Sequence, residues 1–304
     1  MRYYLNCHTA GAVMDNAADS QLVWRQLKTR YPGKFFHGCV SHGLRLLIED
    51  VFGSGRSPEP PAVSSVATPD HVNASGDSHP FSELRQLVEN CRVVAMLLQQ
   101  DEQTSAELTR RLELEGGDSR ILQFPRKNDW YRLRSGLDSF LGALGALGRI
   151  LAEPSFVTEA PIYLQGQRVF VTNTVLHPEF MASLQKAIAI LDPINGLLAH
   201  FEDAAVPCSE VFASFAKTLP DALSKVVGLT DRERSHLLLL NQSRFNLMYG
   251  DAHGIAYLLD PRYVGEGLSV EIRKNIEDLV FDFPLDSPGN GGELPAEASK
   301  IGEK

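Results

Sequence analysis

Asp15 stands directly after the apolar run Ala10-Gly11-Ala12-Val13-Met14. A run that short, stopped by Asp15-Asn16, reads as a buried strand ending at a turn. A carboxylate at the carboxyl end of such a strand sits where metal ions and substrates are held in α/β sheets. The plainer alternative is a cap on the following turn or helix, a job that Asp19 and Ser20 could also do. Cys39-Val40-Ser41-His42 offers a second chemistry, a thiol and an imidazole within reach of one zinc ion, with Cys7, His8 and His37 as further ligands. Structural zinc sites are built on two tight ligand pairs, so a buried Cys and a hydrogen-bonded His at a helix start is the simpler reading. A Cys–His nucleophile pair lacks a third group to orient it. The third group runs from Arg120 to Arg134. There Arg120, Arg126, Lys127, Arg132 and Arg134 are interleaved with Phe124, Trp130 and Tyr131, and Asp129 is the acid after Asp118. Cations alternating with aromatic rings suit single-stranded or distorted nucleic acid, although a loop-to-helix junction is also basic for solvation alone.

The elements that must position these groups follow from periodicity. After the first strand, Leu22, Val23, Trp24 and Leu27 recur at helical spacing from Ser20 to Tyr31, and Pro32-Gly33 stops the helix. Phe35 to Cys39 reads as a second strand, and Val40 to Phe52 as a second helix with Leu44, Leu47, Ile48 and Val51 on one face. Strand, helix, strand, helix with short connections predicts a sheet with helices packed on it. Residues 53–80 are rich in Pro, Gly, Ser and Asp and cannot bury enough surface to offset their ordering entropy, so they read as a disordered linker.

From Phe81 the helical period dominates. Leu84, Leu87, Val88, Cys91, Val94, Ala95 and Leu98 form one face. Leu133, Leu137, Phe140, Leu141, Leu144, Leu147 and Leu151 form a second. Phe180, Leu184, Ile188, Leu191 and Leu198 form a third, with Pro193 expected to kink it. Weak strand signals at Ile162-Tyr163-Leu164 and Arg168-Val169-Phe170-Val171 predict a small hairpin around Gln165-Gly166-Gln167. Gly142, Gly145 and Gly148 each cost about 1 kcal/mol against Ala inside a helix, which points to a close helix–helix approach. Thr230-Asp231-Arg232-Glu233 fits a capping box opening a helix toward Leu259. Asp260-Pro261-Arg262-Tyr263 then stops it, with Tyr263 packing back. A last helix over Ser269 to Phe281 precedes a tail, 284–304, that reads as disordered.

The bulk numbers narrow the function classes. With 304 residues and 43% hydrophobic content the chain can bury one large core or two modest ones. Its formal net charge of -9 argues against a broad phosphate-binding surface and leaves room only for a local one. Four cysteines without paired spacing fit a reduced, intracellular protein. Neither a secretory h-region nor an apolar stretch near the roughly 20 residues of a membrane helix is found, so no membrane partner is expected. No Gly-rich phosphate loop follows either strand, which weakens a nucleotide-binding α/β reading.

Val13-Met14-Asp15-Asn16-Ala17-Ala18 resembles the "T-D-N-A-A-N" stretch of the hAT superfamily of transposases. Phe36-His37-Gly38-Cys39-Val40-Ser41-His42-Gly43-Leu44-Arg45-Leu46-Leu47-Ile48-Glu49-Asp50 resembles that family's "G-C-x-A-H-x-L-N-L-L-x-K-D". Phe180 to Glu202 resembles its "F-W…L-x-P-I…E" helix, and Phe245 to Tyr263 its "A-H…A-x-L-L-D-P-R-Y" ending. The pieces span about Ala10 to Gly267, in family order. The resemblance implies an α/β fold, a partial RNase H-like sheet over 1–52, followed by a large, mostly α-helical insertion-type domain over 81–283.

It also implies metal-dependent DNA cleavage and strand transfer, with Mg2+ or Mn2+ held by two Asp and one Glu. Asp15 then stands for the second acid, as catalytic and metal-binding residue, and Cys39 and His42 for the C-x-x-H pair that handles transposon DNA. Arg126, Lys127, Trp130 and Arg132 would contact DNA, the partner being transposon ends and the location the nucleus.

Departures from the pattern temper this. Only nine residues precede Ala10, where an earlier strand would carry the first acid, and no context supports Glu271 or Glu277 as the third, so the chain reads as incomplete at both ends. Thr-Arg-Trp is here Asn128-Asp129-Trp130, and the Asn of H-x-L-N is Arg45. One carboxylate cannot hold two cations for in-line displacement, so transposition by this chain alone is not expected. The alternative is a non-enzymatic remnant that binds protein or DNA. A sheet lacking its first strands would also leave an apolar edge open to self-association.

Overall fold

A computed structural model describes residues 10–53, 79–115, 122–202 and 205–282. The expected disordered linker and tail fall almost wholly outside these residues, as do Cys7, His8, Asp118 and Arg120. The architecture is mostly helical with a small two-stranded parallel sheet. Strand β1 (Gly11–Met14) and strand β2 (Phe35–Gly38) pair in parallel, Gly11 opposite Phe35 and Met14 opposite Gly38. Helix α1 (Ala18–Arg30) makes the crossover between them, and helix α2 (Val40–Phe52) leaves from the end of β2. The expected strand–helix–strand–helix order is therefore present. Trp24 alone is buried on α1, whereas Leu22 and Val23 are exposed.

The helical part continues through α3 (Ser82–Gln100), α4 (Glu102–Leu114), α5 (Leu133–Leu151), α6 (Ser155–Thr158), α7 (Ile162–Val175) and α8 (Phe180–Phe201). It closes with α9 (Cys208–Ala213), α10 (Leu219–Ser224), α11 (Asp231–Met248), α12 (Asp251–Leu259) and α13 (Val270–Phe281). A short 3-10 turn, Trp130–Arg132, precedes α5, and a π turn, Ser214–Thr218, joins α9 to α10. Burial explains the order. Leu84, Leu87, Val88, Cys91, Val94, Ala95 and Leu98 of α3 are all buried, as expected from their spacing. Helix α8 is central: its Leu184, Ala187, Ile190, Leu191 and Ile194 are fully enclosed, and it packs against α2, α3, α5 and α10. Burying each such Leu or Ile contributes about 1.5–3 kcal/mol. Leu44, Leu47, Ile48 and Val51 of α2 belong to the same apolar cluster, so the strand-bearing segment shares one core with the helices.

Two buried ion pairs lock distant segments. Arg244 of α11 grips Asp50 of α2 through both carboxylate oxygens, Nε to Oδ2 at 2.6 Å, with the two side chains 8% and 4% exposed. Arg168 of α7 donates from Nε to Asp101 Oδ2 at 2.7 Å, and Asp101 also caps α4 by accepting from Thr104 N–H. Both arginine hydrogen bonds and the cap hold the Asp101 carboxyl below its usual pKa against the opposing effect of burial.

Three local expectations are corrected. Ile162–Val175 is a helix, not a hairpin; its buried residues Arg168, Val171 and Val175 follow helical spacing, but the stripe begins on an arginine that an apolar count reads as polar. Gly142 and Gly148 have no heavy atom within 4 Å of where a Cβ would stand, so they mark no close approach; the tight contact on α5 is at Gly136, where a Cβ would come within 2.6 Å of Pro125. The helix opened by the Thr230–Glu233 capping box ends at Met248 instead of running on. It breaks at Gly250, where a Cβ would meet His37 Cβ at 2.7 Å and Phe36 O at 2.9 Å, because β2 occupies that space. The Tyr263 expectation holds: its ring stacks on Tyr257 at 4.9 Å.

Candidate functional site at the strand ends

Asp15 is the first residue beyond β1, at the carboxyl end of the parallel pair. It does not cap α1, whose N-cap is Ala17 with no side-chain bond. Its side chain is 68% exposed and places Oδ1 3.1 Å from Nδ1 of His42, one turn into α2. The same Nδ1 lies 3.4 Å from the Asn16 N–H, and one ring nitrogen cannot both donate and accept. The shorter contact, to a carboxylate, favours the proton on Nδ1, donating to Asp15.

Asn16 is the hidden fastener. It is 3% exposed, its Nδ2 donates to Cys39 O at 2.8 Å, and its backbone carbonyl accepts from Gln21 Nε2 at 2.7 Å. Cys39 N–H donates to Met14 O at 2.7 Å and so extends the ladder to the start of α2. Gly38 leaves the space this needs, since a Cβ there would come within 1.8 Å of Asn16 Oδ1. Asp15, Cys39 and His42 thus stand together at the carboxyl ends of the strands. Asn16 carries no motif of its own; its one sequence signal is an amide beside an acid in the turn between β1 and α1.

The cationic turn is a separate patch linked through α2. Arg45, exposed and one turn on from His42, lines a shallow depression of about 440 Å³ with Lys127, Asn128, Asp129 and Tyr131. Asn128 takes a positive φ of 73° in this turn, and Arg126 and Lys127 before it are exposed. Arg132 is 76% exposed and only loosely paired with Asp129, at 3.9 Å. Trp130 differs from expectation: it is 7% exposed and belongs to the apolar core, so its ring serves packing and is not open to stack on a base. Tyr131 is the exposed ring, and its hydroxyl donates to Glu202 at 2.7 Å. Arg134 is taken up by Asp138 and Asp192.

No family model, no curated protein and no solved structure matches this chain. The donor set therefore decides what the strand ends can hold. Among the described residues, no three His, Cys, Asp or Glu side chains converge on a point that could hold a metal ion. Asp15 is the acid that the strand ends bring to His42, whose Nδ1 is turned toward it at 3.1 Å. His37 faces elsewhere, its ring 4.3 Å from that of the fully buried His253. The described residues do not make up a two-cation centre, and Cys7 and His8, the further zinc ligands expected from the sequence, lie outside them. What the described residues can do is present a carboxylate–imidazole pair next to a run of exposed cations. Among the described residues no helix is long and apolar enough to cross a membrane.

Proposed function

We propose that this chain is a hAT transposase-derived protein that binds DNA and does not cut it. In this reading the β1–α1–β2–α2 unit is the remnant of an RNase H-like core, and the ancestral metal-dependent cleavage and strand transfer have been lost. The observation that supports it is the position of Asp15: a carboxylate at the carboxyl tip of β1, beside Cys39 and His42 and, among the described residues, in no group of three side chains that could hold a metal ion. Mg2+ or Mn2+ would find one exposed ligand there, and in-line displacement needs both attacking and leaving oxygens stabilised. DNA contact falls instead to Arg45, Arg126, Lys127 and Arg132, a local patch on an acidic protein. Nuclear residence accompanies this reading. So does self-association through the outer edge of β1, where Val13 is 58% exposed.

The test is a cleavage assay on branched DNA with Mg2+ or Mn2+, run on the full chain and on Asp15→Ala. Neither protein is expected to nick the substrate, while both bind it. Metal-dependent nicking by the unaltered chain that Asp15→Ala abolishes would overturn the loss of activity.

A further inference from the structure

A second pocket opens on the other side of Trp130. It measures about 400 Å³ and lies between the first turns of α3 and the turn before α5, with Arg85, Arg92 and Lys127 in its wall and Phe52, Val88 and Trp130 as its apolar lining. That volume lies in the range of small-ligand sites, roughly 300–1,000 Å³. Charge within it is unbalanced. Glu89 is the single carboxylate lining it, and it pairs with Arg92 Nη1, while Arg92 Nε has no hydrogen-bond partner. Arg85 is held in place rather than neutralised: its Nε donates to Val51 O at 3.2 Å and its Nη2 to Asp50 O, both at the end of α2. Burial lowers the Arg85 pKa despite the nearby Asp50, the mark of a cation short of solvation. Lys127, exposed, lines the same opening.

Cations gathered in one pocket with a single carboxylate among them attract a compact anion. We propose that this pocket binds a phosphate monoester, the chemistry shared by a nucleoside monophosphate and the 5′-phosphorylated end of a DNA strand. No strand-to-helix glycine loop is involved; the phosphate is met by side chains. The proposal shares Lys127 with the DNA-binding reading, but a mononucleotide probe tests it without DNA.

The experiment is calorimetric titration of the full chain with AMP, and separately with one short single-stranded oligonucleotide carrying either a 5′-phosphate or a 5′-hydroxyl. Saturable binding of AMP, or a preference for the phosphorylated oligonucleotide, is expected; which of the two binds tells the free nucleotide from the strand end. Arg92→Gln and Lys127→Gln should each weaken that binding by roughly tenfold, the scale of one charge-assisted hydrogen bond. Glu89→Gln should tighten it by about threefold, an effect that damage to the fold would not produce. Binding indifferent to all three substitutions, or no AMP binding together with no preference for the 5′-phosphate, would overturn the proposal.

Discussion

Asp15 and Asn16 are neighbours with opposite jobs, and the difference is burial. Asp15 is exposed and its contact to His42 is a surface pair, worth about 0–1 kcal/mol. Asp15→Ala should leave the urea midpoint nearly unchanged. Asn16→Ala removes the enclosed bond to Cys39 O and should cost about 1–3 kcal/mol in the same experiment. Equal effects would mean that the strand-end geometry is wrong. Histidine burial makes a further prediction. Burial, reinforced by His37, pushes the His253 pKa down to about 3, and burial with Arg85 pushes His79 down to about 4; His236 is lowered for the same leading reason. The unfolded chain takes up these protons near pH 6.5 and the folded chain does not, so stability is intact above pH 6.5 and falls as pH drops toward 4. Near pH 5, unfolding in urea should take up about two protons, those of His253 and His79, with a further contribution from His236; a flat profile would contradict the enclosed rings. At this scale Asp15, Cys39 and His42 were legible because a strand end and a helix start fix where such residues stand. Asn16 was not, because an amide shows its worth only once a partner carbonyl is placed beside it.

Helices with apolar stripes were legible as elements, and those built on a polar residue were not. The faces of α3, α5 and α8 could be read from spacing because Leu, Val and Ile fill them. Helix α7 looked like a hairpin because the residue that docks it is Arg168, and the value of Arg168 depends on Asp101, far away in sequence. Removing either partner of that enclosed pair should destabilise by about 3–5 kcal/mol. Spacing alone does not tell an outward glycine from a packed one. Gly142 and Gly148 face open space, so Ala at either position should stabilise by roughly 0.5–1 kcal/mol, the opposite of what a close helix contact would give. Gly250→Ala should cost about 1–3 kcal/mol, because its Cβ would press into β2. Thermal melts of these variants distinguish an outward glycine from a packed one directly.

Over the whole molecule, the sheet is small and the core is helical. Two strands bury little by themselves, and β1–β2 is carried by α1, α11 and α12, which pack against it. The joints that make this possible, Asp50–Arg244 above all, link residues 194 apart and left no trace in local pattern. The outer side of β1 remains open among the described residues, with Val13 and the nearby Leu22 at 58% and 59% exposure. Self-association at micromolar concentration should follow, and Val13→Lys should reduce it in light scattering coupled to size exclusion. The acidic balance of the chain, with net charge -9, makes the cationic turn the decisive feature for any DNA contact. Reversing the charge of Arg45, Arg126, Lys127 and Arg132 together, and measuring fluorescence anisotropy of labelled branched DNA over a range of salt, tests that most directly. The unaltered chain should bind with an affinity that falls steeply with salt, and the reversed variant should lose at least about tenfold and most of the salt slope. Binding that survives the reversal unchanged, or no binding by the unaltered chain at low salt, would contradict a DNA-binding role for this face.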